Sequence, residues 1–202
     1  CSRDWSSDVC SSDLNLIHFP SNNDDVKEAL RYLKYEEFLR FQLTMQYIKL
    51  SRKDNLGIKK QFNRQTLDEF IAQLPFELTF DQEQAALEVI NDLQKETMMY
   101  RFVQGDVGSG KTVVGAIGLY ANYLAGYQGA MMAPTEILAT QHYRSLIKLF
   151  KKIDINIALL TGHLSNKEKQ RIYNDLENGT IDIVVGTHAL FQEKVIYQKL
   201  GL

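Results

Sequence analysis

Several features that would define a specialised class of protein are scarce in this sequence. Only two cysteines, Cys1 and Cys10, occur among its 202 residues, and their spacing matches no metal-binding or redox motif. The formal net charge is −2, so there is no overall basic field and any binding of nucleic acid must depend on local geometry. No apolar run is long enough to cross a membrane, and no basic start followed by an apolar core indicates a secretory signal. We therefore expect a cytoplasmic protein with no membrane partner.

The composition that is present favours a folded globular protein. Hydrophobic residues make up 45% of the chain, which is enough for a substantial core, and the length fits one domain with an appendage. Residues 1–14 differ from the rest, because a Ser-Ser-Asp near-repeat dominates them and they hold both cysteines and the single tryptophan. We interpret them as a cloning artefact, with a native disordered tail as the alternative, and exclude them from the fold.

A long helix is predicted over residues 24–52. Apolar residues recur there mostly at steps of three and four among charged ones, namely Leu30, Leu33, Phe38, Phe41, Met45 and Ile48. A basic stretch follows, formed by Lys49, Arg52, Lys53, Lys59, Lys60 and Arg64. We favour a solvated helix end and loop for this stretch, with contact to a phosphate backbone as the alternative. Thr66 then predicts the start of a short helix that ends before Pro75.

A glycine-rich run fits the phosphate-loop pattern G-x-x-x-x-G-K-[ST] at every fixed position. Its residues are Gly105, Asp106, Val107, Gly108, Ser109, Gly110, Lys111 and Thr112. Glycines allow positive φ and the close approach of a ligand, and successive N–H groups then form a nest for an anion. Lys111 is expected to reach the β- and γ-phosphates, and the Thr112 hydroxyl to bind Mg²⁺. A predicted strand before the run and a helix after it disfavour a chance match in a glycine-rich turn.

Helices and short apolar strands alternate after Pro75. Strands are predicted at residues 101–104, 130–133, 156–160 and 181–185, and helices at residues 79–97, 112–126, 136–151 and 165–178. Capping boxes predict the start of two of these helices, one formed by Thr79 and Gln82 and one by Ser165 and Glu168. The alternation predicts an α/β fold, in which a parallel sheet is covered by helices on both faces and ligands bind at the carboxyl ends of the strands.

Three further segments lie at predicted strand ends and resemble motifs of superfamily 2 helicases. Residues 132–142 read Met-Ala-Pro-Thr-Glu-Ile-Leu-Ala-Thr-Gln-His and resemble motif Ia, residues 161–163 resemble a T-G motif, and residues 185–192 read Val-Gly-Thr-His-Ala-Leu-Phe-Gln and resemble the motif that follows. With the phosphate loop and residues 74–82, they resemble the RecG family of bacterial ATP-dependent DNA helicases over about residues 15–202. The resemblance implies a truncated RecA-like motor domain over residues 75–202. It makes residues 15–74 the helical linker from the family's wedge domain.

The same resemblance implies how these segments are used. ATP and Mg²⁺ are the expected cofactors, and branched DNA, such as a replication fork or Holliday junction, is the expected partner in repair and recombination. The residues expected to contact the DNA backbone are Pro134, Thr135, Gly162, Thr187 and His188. Such contacts, made through helix N-termini and loops, position the DNA without reading its sequence. For Thr135, a plain N-cap is the alternative interpretation.

Gln82 has two interpretations that the sequence leaves open. In the helicase family it resembles the glutamine that hydrogen-bonds adenine. Its place three residues after Thr79 also makes it the second member of a capping box. One side chain can serve both purposes in different nucleotide states.

The acidic motif of the family, Asp-Glu-x-His or Asp-Glu-x-Gln, does not occur in the sequence. In the family, its first carboxylate holds Mg²⁺ and its second positions or activates the attacking water. We therefore expect that this chain binds nucleotide weakly without hydrolysing it. The resemblance also implies an incomplete sheet with exposed apolar strand edges, and we expect a monomer.

Other functions remain as alternatives. The motor of the transcription-repair coupling factor shares two of the segments, but we expect it to differ inside the phosphate loop and after Pro134. A non-catalytic nucleotide- or DNA-binding module would bind without turnover. A phosphate-loop kinase or GTPase is disfavoured by the T-G and G-T-H segments and by the absence of an N-K-x-D guanine signal.

Overall fold

The computed structural model describes residues 11–52 and 56–202 and divides the chain into two compact units, Cys1–Asn55 and Leu56–Leu202. In the first unit, α1 (Ser11–His18) and α2 (Asn23–Arg52) pack against each other. The helix predicted over residues 24–52 is therefore confirmed. Most of the predicted artefact, residues 1–10, and the basic Lys53 lie outside the described residues. Within the described part, no helix is both long and apolar enough to cross a membrane.

The second unit alternates helices and strands. Its elements are α3 (Arg64–Ala72), α4 (Phe80–Leu93), α5 (Lys111–Leu124), β1 (Gly129–Met132), α6 (Glu136–Leu149), β2 (Ile157–Leu160), α7 (Asn166–Glu177), β3 (Ile183–Gly186) and a 3₁₀ turn (His188–Phe191). The capping boxes of Thr79 with Gln82 and of Ser165 with Glu168 are both confirmed. The predicted start at Thr66 is wrong, because the Asn63 side chain caps α3 earlier by accepting the N–H of Gln65.

The three strands form a parallel sheet in the order β1-β3-β2, which confirms the predicted α/β class. The central strand β3 is buried along its whole length. Its side chains alternate between two apolar clusters. Ile183 and Val185 pack with α4, α5 and α6, whereas Val184 packs with α7 and the 3₁₀ turn. Helices therefore cover both faces, as period-two alternation in a buried parallel strand requires.

At its start, the edge of β1 that faces away from β3 is paired, so the expected free apolar edge is wrong for this part of the strand. The N–H of Ala130 donates to the carbonyl of Leu202 at 2.8 Å, and the N–H of Gly201 donates to the carbonyl of Gln128 at 2.9 Å. Residues 199–202 thus run beside β1 in parallel, since a parallel bridge joins Gln128 to Leu200. The backbone N–H and carbonyl groups of this edge therefore form hydrogen bonds with residues 199–202, where they would otherwise need water as a partner.

The strand predicted at residues 101–104 is wrong, since these residues have no strand conformation. The segment is held instead through the Arg101 side chain, whose Nε lies 2.6 Å from Asp92 and which also pairs with Glu88, both on α4. The Arg101 guanidinium holds the pKa of Asp92 below its ordinary range. Phe102 is 87% exposed, so its apolar character does not mark a buried strand.

The helix after the phosphate loop, α5, is the centre of the unit. Most of its residues from Val114 to Asn122 are buried, as expected for a helix that is apolar on all sides. An aromatic cluster closes one side of it, with ring centroids 4.4 Å apart between Phe70 and Tyr120 and 5.3 Å apart between Phe70 and Phe150. These contacts fix α5, and with it the position where the loop ends.

The basic stretch is not uniformly solvated, so the favoured interpretation is wrong at one residue. Lys60 is 2% exposed, and its ammonium lies 3.8 Å from the ring centroid of Tyr127. Burial lowers the pKa of Lys60. Lys59 is exposed as predicted, and Arg64 pairs with Asp68 at 2.9 Å on the surface of α3. The cation–π contact compensates part of the cost of burying the Lys60 ammonium.

Candidate functional site

The phosphate loop adopts a backbone that only glycine tolerates easily. Gly108 has φ of 86° and Gly110 has φ of 82°, and Gly110 serves as the N-cap of α5. An L side chain is strained at such angles, which explains the glycines at these two places. α5 begins at Lys111, so the loop runs directly into the N–H groups of the helix N-terminus. A loop of this shape can hold an anion.

Lys111 is folded over the loop. Its Nζ donates to the carbonyls of Gly105 and Asp106, at 2.6 Å each. Asp106, Val107 and Ser109 are exposed, so a ligand can reach the loop from solvent. The ammonium is thus placed at the mouth of the loop, where a bound phosphate would compete with two neutral carbonyls for it. Charge-assisted bonds to phosphate are roughly twice as strong as those between neutral groups.

Gln82 connects α4 to the phosphate loop. Its Oε1 accepts the N–H of Thr79 at 3.0 Å, which completes the capping box, and its Nε2 donates to the carbonyl of Ser109 at 2.9 Å. Both functional atoms of the amide are therefore engaged. The sequence predicted the first bond, but not the second, which joins residues 27 positions apart.

A cavity of about 460 Å³ lies beside the loop and collects residues from three segments. Its lining residues are Thr79, Asp81, Gln82, Ala85, Val103, Gln104, Gly105, Asp106, Gly108, Ser109, Lys111 and Val114. Sequence reasoning missed six of them as members of this site, namely Thr79, Asp81, Ala85, Val103, Gln104 and Val114. The spacing of Ala85 from Gln82, one helical turn later, was the one local signal that could have indicated that it shares this face of α4.

Thr112, the predicted Mg²⁺ ligand, is the second residue of α5 and is half-buried. Within residues 11–52 and 56–202, no group of three or more His, Cys, Asp or Glu side chains could hold a metal ion. The loop backbone and the Lys111 ammonium fit a phosphate group, and Thr112 offers one hydroxyl oxygen to a metal that the phosphates would carry.

The other predicted residues lie in the loops that follow the three strands. Thr135 caps α6, with its hydroxyl accepting the N–H of Leu138 at 3.3 Å, and Pro134 beside it is exposed. After β3, Thr187 is the N-cap of the 3₁₀ turn but makes no capping bond with its side chain, and His188 is exposed. Because β3 lies between β1 and β2, the loop of Thr187 is in the middle of the three.

Gly162, after β2, already has partners for its backbone. Its N–H donates to Oε1 of Glu136 at 2.6 Å, and its carbonyl accepts from Nζ of Lys169 at 2.6 Å. The other carboxylate oxygen of Glu136 lies 3.0 Å from Nε2 of His163. Sequence reasoning missed Glu136 and Lys169, since the bond from Gly162 to Glu136 spans 26 positions and has no local signature.

The phosphate loop and the strand-end loops lie at the same end of the unit. A Cβ on Gly129, at the start of β1, would lie 2.5 Å from Leu119, whereas a Cβ on Gly115, one helical turn earlier in α5, would lie 3.7 Å from Met131. α5 and β1 therefore run in opposite directions, and the N-terminus of α5 lies near the carboxyl end of β1. Lys111 and Thr135 are consequently at one edge, where ligands bind in open α/β sheets.

The profile of the DEAD/DEAH box helicase family matches residues 79–202, more than half of the chain. The chain belongs to the DEAD/DEAH box helicase family. The match covers the phosphate loop, the three strands and their loops. It agrees with the RecA-like helicase domain that the sequence predicted.

Within that family, the resemblance to RecG is confirmed. The chain is 47% identical to the ATP-dependent DNA helicase RecG of Bacillus subtilis over 190 residues, which are 94% of this chain and 28% of the relative. It is 46% identical to RecG of Thermotoga maritima over 186 residues, which are 92% of this chain and 24% of the relative. The chain thus spans about a quarter of the length of these relatives.

A solved structure of RecG bound to a three-way DNA junction is similar to this chain. The TM-score is 0.77 with 45% sequence identity, and the similarity covers 93% of this chain and 26% of the solved one. The described fold therefore corresponds to one portion of that larger protein.

Proposed function

We propose that this chain is the nucleotide-binding part of a motor that uses ATP to remodel branched DNA, such as replication forks and Holliday junctions, in repair and recombination. The observation that carries the proposal is the placement of a phosphate loop and three strand-end loops at one edge of the same unit. A translocating motor must couple changes at its ATP site to changes in its contacts with the DNA backbone. Placing both sites at one edge of the sheet allows this coupling.

At the nucleotide end, the loop from Gly105 to Thr112 would hold the phosphates. Lys111 would exchange the carbonyls of Gly105 and Asp106 for the β- and γ-phosphates, and Thr112 would bind the Mg²⁺ that the phosphates bring. Mg²⁺ neutralises the charge that develops on the phosphates during transfer. Gln82 would contact adenine either by exchanging its bond to the carbonyl of Ser109 or by using the second N–H of its amide.

At the DNA end, Pro134, Thr135, Gly162, Thr187 and His188 would contact the backbone. Thr187 and His188 support this best, because the Thr187 hydroxyl makes no capping bond and the His188 side chain is exposed. The contacts are independent of base sequence, which suits an enzyme that acts on any junction. We propose a monomer that works in the cytoplasm, where a bacterial chromosome lies.

The chain by itself would bind nucleotide without turning it over. It contains no Asp-Glu-x-His or Asp-Glu-x-Gln sequence to supply the second metal ligand and the group that activates water. Without these groups, most of the electrostatic stabilisation of the transition state is missing. Binding without turnover is therefore the behaviour expected of this chain.

The test is a titration of fluorescent ADP and a phosphate-release assay on the 202-residue chain, with and without a three-way DNA junction. We expect weak binding that Lys111→Ala weakens by about tenfold or more, the loss of one charge-assisted phosphate contact. Lys148→Ala removes another exposed lysine, from the last turn of α6, and should leave binding unchanged. Junction-stimulated phosphate release would refute the proposed lack of turnover, and equal effects of the two substitutions would refute the role of the loop.

A further inference from the structure

The carboxylate of Glu136 joins two loops that the sheet keeps apart. Glu136 is the first residue of α6, directly after Thr135, and so belongs to the loop that follows β1. Its two oxygens reach Gly162 and His163, in the loop that follows β2. β3 lies between β1 and β2, so this side chain links loops that follow two strands that are not neighbours in the sheet.

Three features favour the hydrogen bond between Gly162 and the Glu136 carboxylate. The N–H of Gly162 donates to Oε1 at 2.6 Å, which is short for an amide donor. A carboxylate at the first position of a helix is also favoured by the helix dipole. The Glu136 side chain is 31% exposed, so solvent only partly competes for it.

A second side chain, that of Lys169, also binds the backbone of Gly162. Lys169, on α7, donates to the carbonyl of Gly162 at 2.6 Å. The N–H and the carbonyl of Gly162 are thus tied to α6 and α7 respectively. A side chain at this position would disturb the arrangement, because a Cβ on Gly162 would lie 2.8 Å from Oε1 of Glu136.

We propose that Glu136 is a positioning residue that fixes the loop of Gly162 relative to Thr135, so that the two loops meet the DNA backbone as one rigid surface. This inference rests on the proposed function, since it assumes that both loops contact DNA. It also adds a second task to Gly162, because its N–H holds Glu136, and it leaves the DNA contact proposed for the loop of Gly162 in place.

Two opposite effects of the carboxylate must be separated. Its negative charge repels phosphates, so removing the charge alone should strengthen DNA binding. Its hydrogen bond orders the loop, so removing the acceptor should weaken binding. Glu136→Gln removes the charge and keeps an acceptor for the N–H of Gly162, whereas Glu136→Ala removes both. The ratio of the two dissociation constants therefore isolates the positioning role.

The experiment measures binding of a fluorescein-labelled three-way DNA junction to the 202-residue chain by anisotropy at several salt concentrations. We expect Glu136→Ala to bind about fivefold more weakly than Glu136→Gln, the worth of about one hydrogen bond. The slope of log Kd against log salt should fall by about one phosphate contact for Glu136→Ala only. Glu177→Ala, a change to an exposed carboxylate at the far end of α7, is the matched control and should leave both quantities unchanged.

Circular dichroism of each variant checks that the fold is intact, and a lower slope in an intact fold is a result that a purely structural role would not produce. Equal affinities of Glu136→Ala and Glu136→Gln, with the unchanged chain binding the junction, would overturn this inference alone. Failure of the unchanged chain to bind the junction would overturn the proposed DNA contact, and this inference with it.

Discussion

Replacing Gly110 by alanine tests the link between Gln82 and the phosphate loop, and Gly108 provides a matched control. Both glycines have positive φ, 82° and 86° respectively. An alanine at either position therefore carries a similar backbone strain, about 1 to 2 kcal/mol. The two positions differ in their surroundings. A Cβ on Gly108 meets nothing within 4 Å, whereas a Cβ on Gly110 would lie 2.4 Å from Nε2 of Gln82.

The Gln82 amide is the end of a flexible side chain, so it would swing away rather than distort the backbone. Its hydrogen bond to the carbonyl of Ser109, now 2.9 Å long, would then be lost. The net worth of such a bond is about 1 kcal/mol. We therefore expect Gly110→Ala to lower the free energy of unfolding by about 1 kcal/mol more than Gly108→Ala.

Urea denaturation followed by circular dichroism measures this difference, and no ligand is needed. A double-mutant cycle identifies its source, because in a Gln82→Ala background the two alanine substitutions should cost the same. If Gly110→Ala costs no more than Gly108→Ala, or if its excess cost survives in the Gln82→Ala background, the side chain of Gln82 does not hold the loop.

Two further predictions concern the pH dependence of stability. The Arg101 guanidinium lowers the pKa of Asp92, so the stabilisation is present above about pH 4 and is lost as the pH falls through the lowered value. Arg101→Met should therefore lower the free energy of urea unfolding at pH 7 and have less effect at pH 3, and an equal effect at both would contradict the pairing. Burial raises the pKa of Tyr197 to about 12, so its stabilisation is present below about pH 10 and is lost as the pH rises toward 12. Tyr197→Phe should flatten the alkaline loss of stability in the same assay, and an unchanged alkaline slope would exclude this residue as its cause.

Local patterns were sufficient for much of the fold. The capping boxes of Thr79 and Ser165 fix two helix starts through bonds that span three residues, and such bonds are visible in sequence. The positive φ of Gly110, a fixed glycine of the phosphate-loop pattern, follows from sequence in the same way, whereas the other fixed glycine, Gly105, does not have a positive φ. Alternation of helices with short apolar strands was enough to predict the parallel sheet.

The errors arose where a distant partner decides the outcome. Residues 101–104 have an apolar, strand-like sequence, but a strand needs neighbours, and this segment is fastened to α4 by Arg101 instead. Lys60 belongs to a basic stretch that reads as solvated, yet it lies over Tyr127, a residue 67 positions away in the sequence. At the start of α3, two capping residues compete, and Asn63 forms the cap that Thr66 was expected to form.

The residues of the candidate site likewise fall into two groups, those that a local motif reveals and those that depend on a distant contact. The loop residues from Gly105 to Thr112 were visible as a motif, because each acts through its own backbone or through a short reach along the chain. Glu136, by contrast, is one residue of a helix start in the sequence and becomes a link between two loops only in the folded unit. Contacts of this kind cannot be read from spacing, since no period connects the two positions.

In the proposed function, this chain supplies the nucleotide-binding part of a branched-DNA motor. The most direct measurement replaces the matching segment of Bacillus subtilis RecG, to which this chain is 47% identical, by residues 15–202 and follows phosphate release from ATP. We expect the hybrid to hydrolyse ATP, a three-way DNA junction to stimulate it, and Lys111→Ala to abolish the stimulated rate. A hybrid that folds and binds the junction, but whose hydrolysis is indifferent to the junction or to Lys111→Ala, would contradict the claim.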